Sequence, residues 1–303
     1  MEERGSEGGE APASTASAAL AVTAATLYVV ATPLGHLRDI TLRAIDVLSA
    51  VDLIYAEDTR VSVVLLARHG VTTRPQALHA HNEARRASDV IAALAAGRSV
   101  AMITDAGTPA ISDPGARVVR AVRDAGFRVV PVPGPSAVAA ALSAAGIGSH
   151  HFLFAGFLPT KAGERAALLR SLSTLDAALV FYEAPHRVVK AVDALLEALG
   201  GQRMLVVARE LTKTFETIAA MPLADAPAWL AVDANRQRGE FVLIVDAPAA
   251  ATAEDSLTTD ARRWIDALVG EMPPSRAAHV VAAMTGAPRD ALYQYAMARK
   301  SAR

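Results

Sequence analysis

The stretch LYVVATPLGHLRDITLRAIDVLSAVDLIYAEDTR (27–60) decides the fold. Leu27–Ala31 is a short apolar run, the pattern of a strand buried on both faces. Asp39–Ala50 changes to helical periodicity, with Asp39 as the expected N-cap. Asp52–Ala56 returns to a strand. Strand, helix and strand at this spacing open the β-α-β alternation of a parallel α/β sheet.

Working outward, the rhythm continues. Val61–His69 reads as a helix and Gln76–Ala80 as a third strand. Glu83–Ala96 reads as a helix capped by Asn82 and stopped at Gly97. Ser99–Thr104 is a strand. Asp113 and Pro114 are expected as N-cap and first residue of a helix that runs to Ala125 and closes at Gly126. Phe127–Pro131 is a strand and Pro135–Ala145 an alanine-rich helix. The alternation predicts a parallel α/β sheet.

A second unit begins near His151. Phe152–Phe157, Ala178–Tyr182, Met204–Ala208, Phe215–Ala219 and Glu240–Val245 read as strands. Lys161–Ser173 and Pro185–Leu199 read as helices, with another near Pro222–Val232. The last three strands have one helix among them, which predicts a mixed sheet. The expected division is a disordered tail over 1–25, an α/β domain over 26–148, a second over 149–247, a linker over 248–259 and a helical appendage over 260–303. The tail holds almost no large side chain and cannot offset its own ordering entropy.

Composition removes several classes of function. Of 303 residues, 52% are hydrophobic and 20% charged, enough for a sizeable core. Thirty Lys and Arg against 31 Asp and Glu leave a net charge of −1, so no uniform basic coat exists, although a local patch can. Without cysteine there is no disulfide scaffold, thiolate nucleophile or iron–sulfur cluster. The histidines are scattered, and no metal is expected. The chain lacks a G-x-G-x-x-G after its first strand, a P-loop, an H-E-x-x-H and a G-x-S-x-G. No apolar run is convincing as a membrane span, and Glu2, Glu3, Glu7 and Glu10 sit where a signal peptide carries positive charge. A soluble cytoplasmic protein is expected.

Polar, Gly/Pro-punctuated segments follow the strands: TPLGHLRD (32–39), EDTR (57–60), HNE (81–83), DAGTP (105–109) with SDPG (112–115), PGPS (133–136), EAPHR (183–187) and RELTK (209–213). Loops at the carboxyl ends of strands carry the ligands of open α/β sheets. These segments are therefore expected to converge on one cleft between the two units.

Taken with LYVVATPLGHLRDITLRA (27–44), ITDAGTPAISDPG (103–115), VPVPGPSA (130–137), FLFAGFLPTKAGER (152–165), FYEAPHR (181–187), ARELTKTFE (208–216), GEFVLIV (239–245) and LYQYAMARK (292–300), these loops resemble the 16S ribosomal RNA (cytidine-2'-O)-methyltransferase family, a branch of the tetrapyrrole methylase fold. The resemblance runs from about Leu27 to Ala298. It implies two α/β/α units with S-adenosylmethionine in the cleft between them and a small helical appendage. It implies 2'-O-methylation of a cytidine in the decoding centre of the small-subunit RNA, and a homodimer. By motif matching, Asp105, Gly107, Thr108, Ser136, Glu183 and Arg209 are expected at the cofactor.

Methyl transfer from a sulfonium needs alignment and a nucleophile rather than a metal. The ribose hydroxyl is a poor acid, so a general base is expected. Glu57, Asp58, Glu83 and Glu183 are the candidates, and the sequence does not choose among them. Arg60, Arg85, Arg86 and Arg187, with the basic C-terminal helices, are expected to hold phosphates of the 16S RNA or the small subunit. Two other readings stay open: a porphyrinoid methyltransferase of the same fold, and a non-catalytic protein that binds S-adenosylmethionine or RNA. AEDTR, HNEARR and FYEAPHR with the basic C-terminal helices favour the RNA branch.

Overall fold

A computed structural model describes residues 22–248 and 257–301. Most of the expected N-terminal tail and of the 248–259 linker lies outside the described residues. The first unit runs β1 (Thr26–Val30), α1 (Leu42–Ala50), β2 (Leu53–Ala56), α2 (Thr59–Arg68), β3 (Pro75–Ala77), α3 (Glu83–Ala95), β4 (Val100–Ile103), α4 (Ala116–Asp124) and β5 (Arg128–Val132). Its five strands are all parallel, in the order β3-β2-β4-β1-β5. Both faces are covered. Val47 and Leu48 of α1 and Leu65 and Leu66 of α2 pack on Val30 and Ile54. Val90 and Leu94 of α3 and Val118 and Val122 of α4 pack on Leu27 and Met102. Double coverage explains why these strands are continuously apolar.

The chain then crosses by α5 (Ala137–Ala145) into β6 (Phe152–Phe157), α6 (Ala162–Leu172), β7 (Ala178–Glu183), α7 (Val188–Leu199), β8 (Met204–Arg209), β9 (Thr217–Pro222), α8 (Ala226–Val232) and β10 (Phe241–Val245). This sheet has the order β6-β7-β10-β8-β9. Only β6 and β7 are parallel, and β10 runs antiparallel between β7 and β8, so the sheet is mixed as expected. Helices α6, α7 and α8 cover one face around Leu179, Phe181 and Leu243. Helix α5 packs by Ala141 and Ala145 on Val180, Val206 and Ile244 of the other face. It follows the first unit in sequence but lies on the second sheet.

Helices α9 (Thr259–Leu268), α10 (Pro274–Thr285) and α11 (Arg289–Ser301) share their own core of Ile265, Val281, Leu292 and Tyr295. No helix among the described residues is long and apolar enough to cross a membrane.

Three expected helix starts differ. Asp39 does not cap α1. It closes a single 3-10 turn (Leu37–Asp39), and the Thr41 side chain accepts the Ala44 N–H at 3.1 Å instead. Asn82 folds back into its own turn, accepting the His79 N–H at 2.8 Å and donating to the Ala77 carbonyl at 3.2 Å. Asp113 does not cap α4, which starts later, after Gly115 at φ 129. The third strand is shorter and earlier than expected, and β9 is displaced toward Pro222.

Candidate active site

Strands β1, β4 and β5 of the first sheet and β6 and β7 of the second end around one cavity of about 370 Å³ between the units, within the range of small-molecule sites. Leu34 enters after β1, Gly107, Thr108 and Asp113 after β4, and Ser136 after β5. The second unit supplies Phe157, Tyr182, Glu183 and Leu211, and β10 adds Glu240 and Phe241 from its start because it runs the other way.

The DAGTP loop is tied down at three points. Thr32 and Gly107 exchange backbone hydrogen bonds at 2.8 and 3.0 Å. The Thr32 hydroxyl donates to the Thr104 carbonyl at 3.0 Å. The Thr108 hydroxyl donates to the Pro135 carbonyl at 3.0 Å, joining this loop to the PGPS segment. Gly107 has φ +83, where a side chain is strained, and a Cβ there would stand 3.3 Å from Leu34. Glycine keeps the backbone open to the cavity.

Across the cavity, Glu183 is 2% exposed. Its Oε1 accepts the Ala184 N–H at 2.8 Å and pairs with Arg187 at 3.2 Å. Its Oε2 is buried without a hydrogen-bond partner. Burial raises the Glu183 pKa above the usual carboxylate value. A buried carboxylate oxygen left without a donor is costly. Beside it, the Tyr182 hydroxyl accepts the Val138 N–H at 3.2 Å, anchoring α5 to β7.

The other candidate carboxylates lie outside the lining. Glu57 accepts the Thr104 hydroxyl at 2.6 Å, behind the β4 loop. Asp58 caps α2 and pairs with Arg60 at 2.6 Å; the Arg60 hydrogen bonds pull its pKa down to about 2. Glu83 is buried under α4, accepting two backbone N–H groups. Asp105 accepts the Asp58 N–H at 2.9 Å, and burial raises its pKa.

The arginines divide as well. Arg209 is buried and turned away from the cavity, donating to the carbonyls of Phe215 and Arg238 and to the Thr217 hydroxyl. Arg187 holds the Leu158 carbonyl and Glu183. Arg86 holds Asp89 and the Ala77 carbonyl. Arg60 and Arg85 face solvent.

Asp113, Tyr182 and Glu240 line the cavity without having been singled out as site residues from the sequence. The sequence reading makes Asp113 a helix cap within SDPG (112–115), one of the strand-end loops expected at the cleft, and gives it no role there. The contrary signal was Gly115: glycine two residues after a supposed N-cap disfavours a helix starting there. Burial, with the negative charges of Glu57, Asp105 and Glu240, lifts the Asp113 pKa to about 6, and the Thr104 hydroxyl only partly offsets this. The arrangement offers a cofactor-sized cleft with an open backbone loop on one wall and weakly acidic carboxyl groups on the walls around it.

The model of the Tetrapyrrole (Corrin/Porphyrin) Methylases matches residues 26–227, and that of the RsmI C-terminal HTH domain matches 255–300. The chain is 47% identical to "Ribosomal RNA small subunit methyltransferase I" of Pseudomonas aeruginosa, covering 92% of this chain and 99% of the relative. It is 49% identical to the protein of that name from Mesorhizobium japonicum, covering 88% and 90%. Among solved structures it is similar to cobalt precorrin-4 methyltransferase, with 18% identity, a TM-score of 0.56, and 73% of this chain and 95% of that chain covered. Uroporphyrin-III-C-methyltransferase from Thermus thermophilus gives 22% identity and a TM-score of 0.54, over 73% and 94%. At these identities the two structures speak for the fold.

Proposed function

The chain belongs to the tetrapyrrole methylase family, in its ribosomal RNA small subunit methyltransferase I branch, and on that premise we propose that it transfers a methyl group from S-adenosylmethionine to the ribose 2'-hydroxyl of a cytidine in 16S ribosomal RNA. It is a methyltransferase by family. When bound, S-adenosylmethionine supplies an electrophilic methyl group on a positively charged sulfur.

The observation that supports the reading is a cavity of cofactor size lined from both units, with the open Gly107 backbone, Thr108 and Ser136 from the first and Glu183 and Leu211 from the second. Gly107 and Thr108 offer backbone at close approach, and Ser136 and Leu211 close the cavity from the two units. Asp105 and Arg209 stand one layer back and shape the loops that line it. Positioning of this kind accounts for much of the rate in a direct displacement.

RNA is the acceptor favoured by the third unit, because the C-terminal helices form a separate core, matched by the RsmI C-terminal HTH domain, rather than an extension of the cleft. The solvent-facing Arg85 is available to phosphates, whereas Arg60 faces solvent while holding the Asp58 carboxylate. Arg86 and Arg187 would act through the loops they hold. The same reading carries a homodimer in the cytoplasm, which light scattering of the purified protein tests first.

The deciding experiment is mass spectrometry of small-subunit RNA from cells with and without this protein. Loss of one 2'-O-methylcytidine on deletion is expected. Unchanged RNA, with label passing from donor to a tetrapyrrole precursor in vitro, would transfer the assignment to the porphyrinoid branch.

A further inference from the structure

Helix α4 receives its cap from outside its own chain segment. Glu83 of α3 accepts the N–H groups of Gly115 and Arg117, each at 2.9 Å. The carboxyl group of Asp113 is thereby spared the role that its sequence position suggests. The loop that carries it is held in an unusual shape. Ala110 and Ser112 both have positive φ, +67 and +66, and Gly115 has +129. Gly156, at the bulge of β6 in the second unit, comes so close that a Cβ there would stand 3.2 Å from Ser112 Oγ. Two non-glycine residues in the left-handed region of one loop carry strain of the kind that clusters at functional sites. The loop leaves Asp113 on the cavity wall that Glu240 and Tyr182 of the second unit also line, within electrostatic reach of both and of Glu57 and Asp105.

We propose that Asp113 is the general base that receives the ribose hydroxyl proton during methyl transfer. This rests on the function proposed above. The hydroxyl oxygen uses a lone pair to bond the methyl carbon, and the carbon–sulfur bond breaks with its electrons to sulfur. The hydroxyl proton passes to an Asp113 carboxylate oxygen and then to water. The products are the 2'-O-methyl ribose and the neutral thioether, and charge balances. A carboxyl group that titrates near 6 is largely ionised at neutral pH yet is a stronger base than an ordinary aspartate.

The test compares wild type, Asp113→Asn and Asp113→Glu with small ribosomal subunits as acceptor across pH 5 to 9. D113N is expected to lose about 10²- to 10⁴-fold in kcat. Its affinity for S-adenosylhomocysteine, read by calorimetry, is expected to stay within about threefold. A carboxyl resonance titrating near pH 6 in the carbon-13 NMR spectrum of the wild type is expected to vanish in D113N. D113E is expected to recover part of the rate and keep an acid limb. If wild type methylates and D113N keeps pace within about threefold, or loses S-adenosylhomocysteine affinity in step with rate, Asp113 is not the base. A wild type that methylates no small-subunit RNA overturns the function first and this assignment with it.

Discussion

The carboxylate of Glu83 accepts the backbone N–H of Gly115 at 2.9 Å, across 32 positions of sequence. One buried side chain thus caps a neighbouring helix and sets the loop before it. Glu83→Ala should cost about 1–3 kcal/mol, because two helix-end N–H groups lose their acceptor. The urea midpoint reports the loss. Hydrogen exchange should accelerate first at Gly115 and Arg117, and unchanged protection at both amides would count against the cap.

Asp113 is predicted to cost stability for the sake of its position. Its folded pKa, near 6, lies above the ordinary value of 3.8, so the native state holds the proton more tightly than the unfolded chain. Stability therefore falls as pH rises through the window between these values, and the loss is complete above the upper one. D113N removes the ionising group. It should be more stable than wild type by about 1 kcal/mol near pH 8, with partial solvent screening allowed for. The gap should close by about pH 4. Urea midpoints of both proteins at the two pH values measure it.

Gly107→Ala should weaken donor binding more than it weakens the fold. The left-handed backbone at φ +83 penalises alanine by about 1–2 kcal/mol. A Cβ there would also stand 3.3 Å from Leu34, so the cavity lining must shift to take it. Calorimetry with S-adenosylhomocysteine should show about a tenfold loss of affinity. Equal affinity in the two proteins would mean that the backbone at 107 does not touch the cofactor.

Arg209 is expected to matter for stability. Its guanidinium bonds the Phe215 and Arg238 carbonyls and the Thr217 hydroxyl, and lysine cannot reach three acceptors in that fork geometry. Arg209→Lys should lose about 2 kcal/mol in urea denaturation, with cofactor affinity within about threefold of wild type. A selective loss of cofactor affinity would put the side chain in the cleft.

Arg85 is exposed on α3, whereas Arg86 is committed to Asp89 and the Ala77 carbonyl. Arg85→Glu should lower the slope of log affinity against log salt for small-subunit RNA by about 1. Arg86→Gln should mainly lower thermal stability. Filter binding across a salt series separates the two.

Much of the architecture was legible because apolar runs and glycine stops are local signals. Leu27–Ala31, Ser99–Thr104 and Glu240–Val245 name their strands within a residue or two. The helix caps were less legible, since an Asp or Asn before a helix looks the same whether it caps, folds back like Asn82 or faces a cavity like Asp113. The distinction lies in partners far along the chain, such as Glu83 for Gly115.

The sequence by itself determined the alternation of strands and helices, the mixed second sheet, the strand-end loops and the family. Only the tertiary structure decided which of those loops meet. The order β3-β2-β4-β1-β5 brings the loops after β4, β1 and β5 to the cavity and leaves those after β2 and β3, with Glu57, Asp58 and Glu83, outside its lining. Strand order follows from long-range pairing and from how the helices cover each face. A one-dimensional pattern of apolar and polar residues records which segments pair with something, but not with which partner.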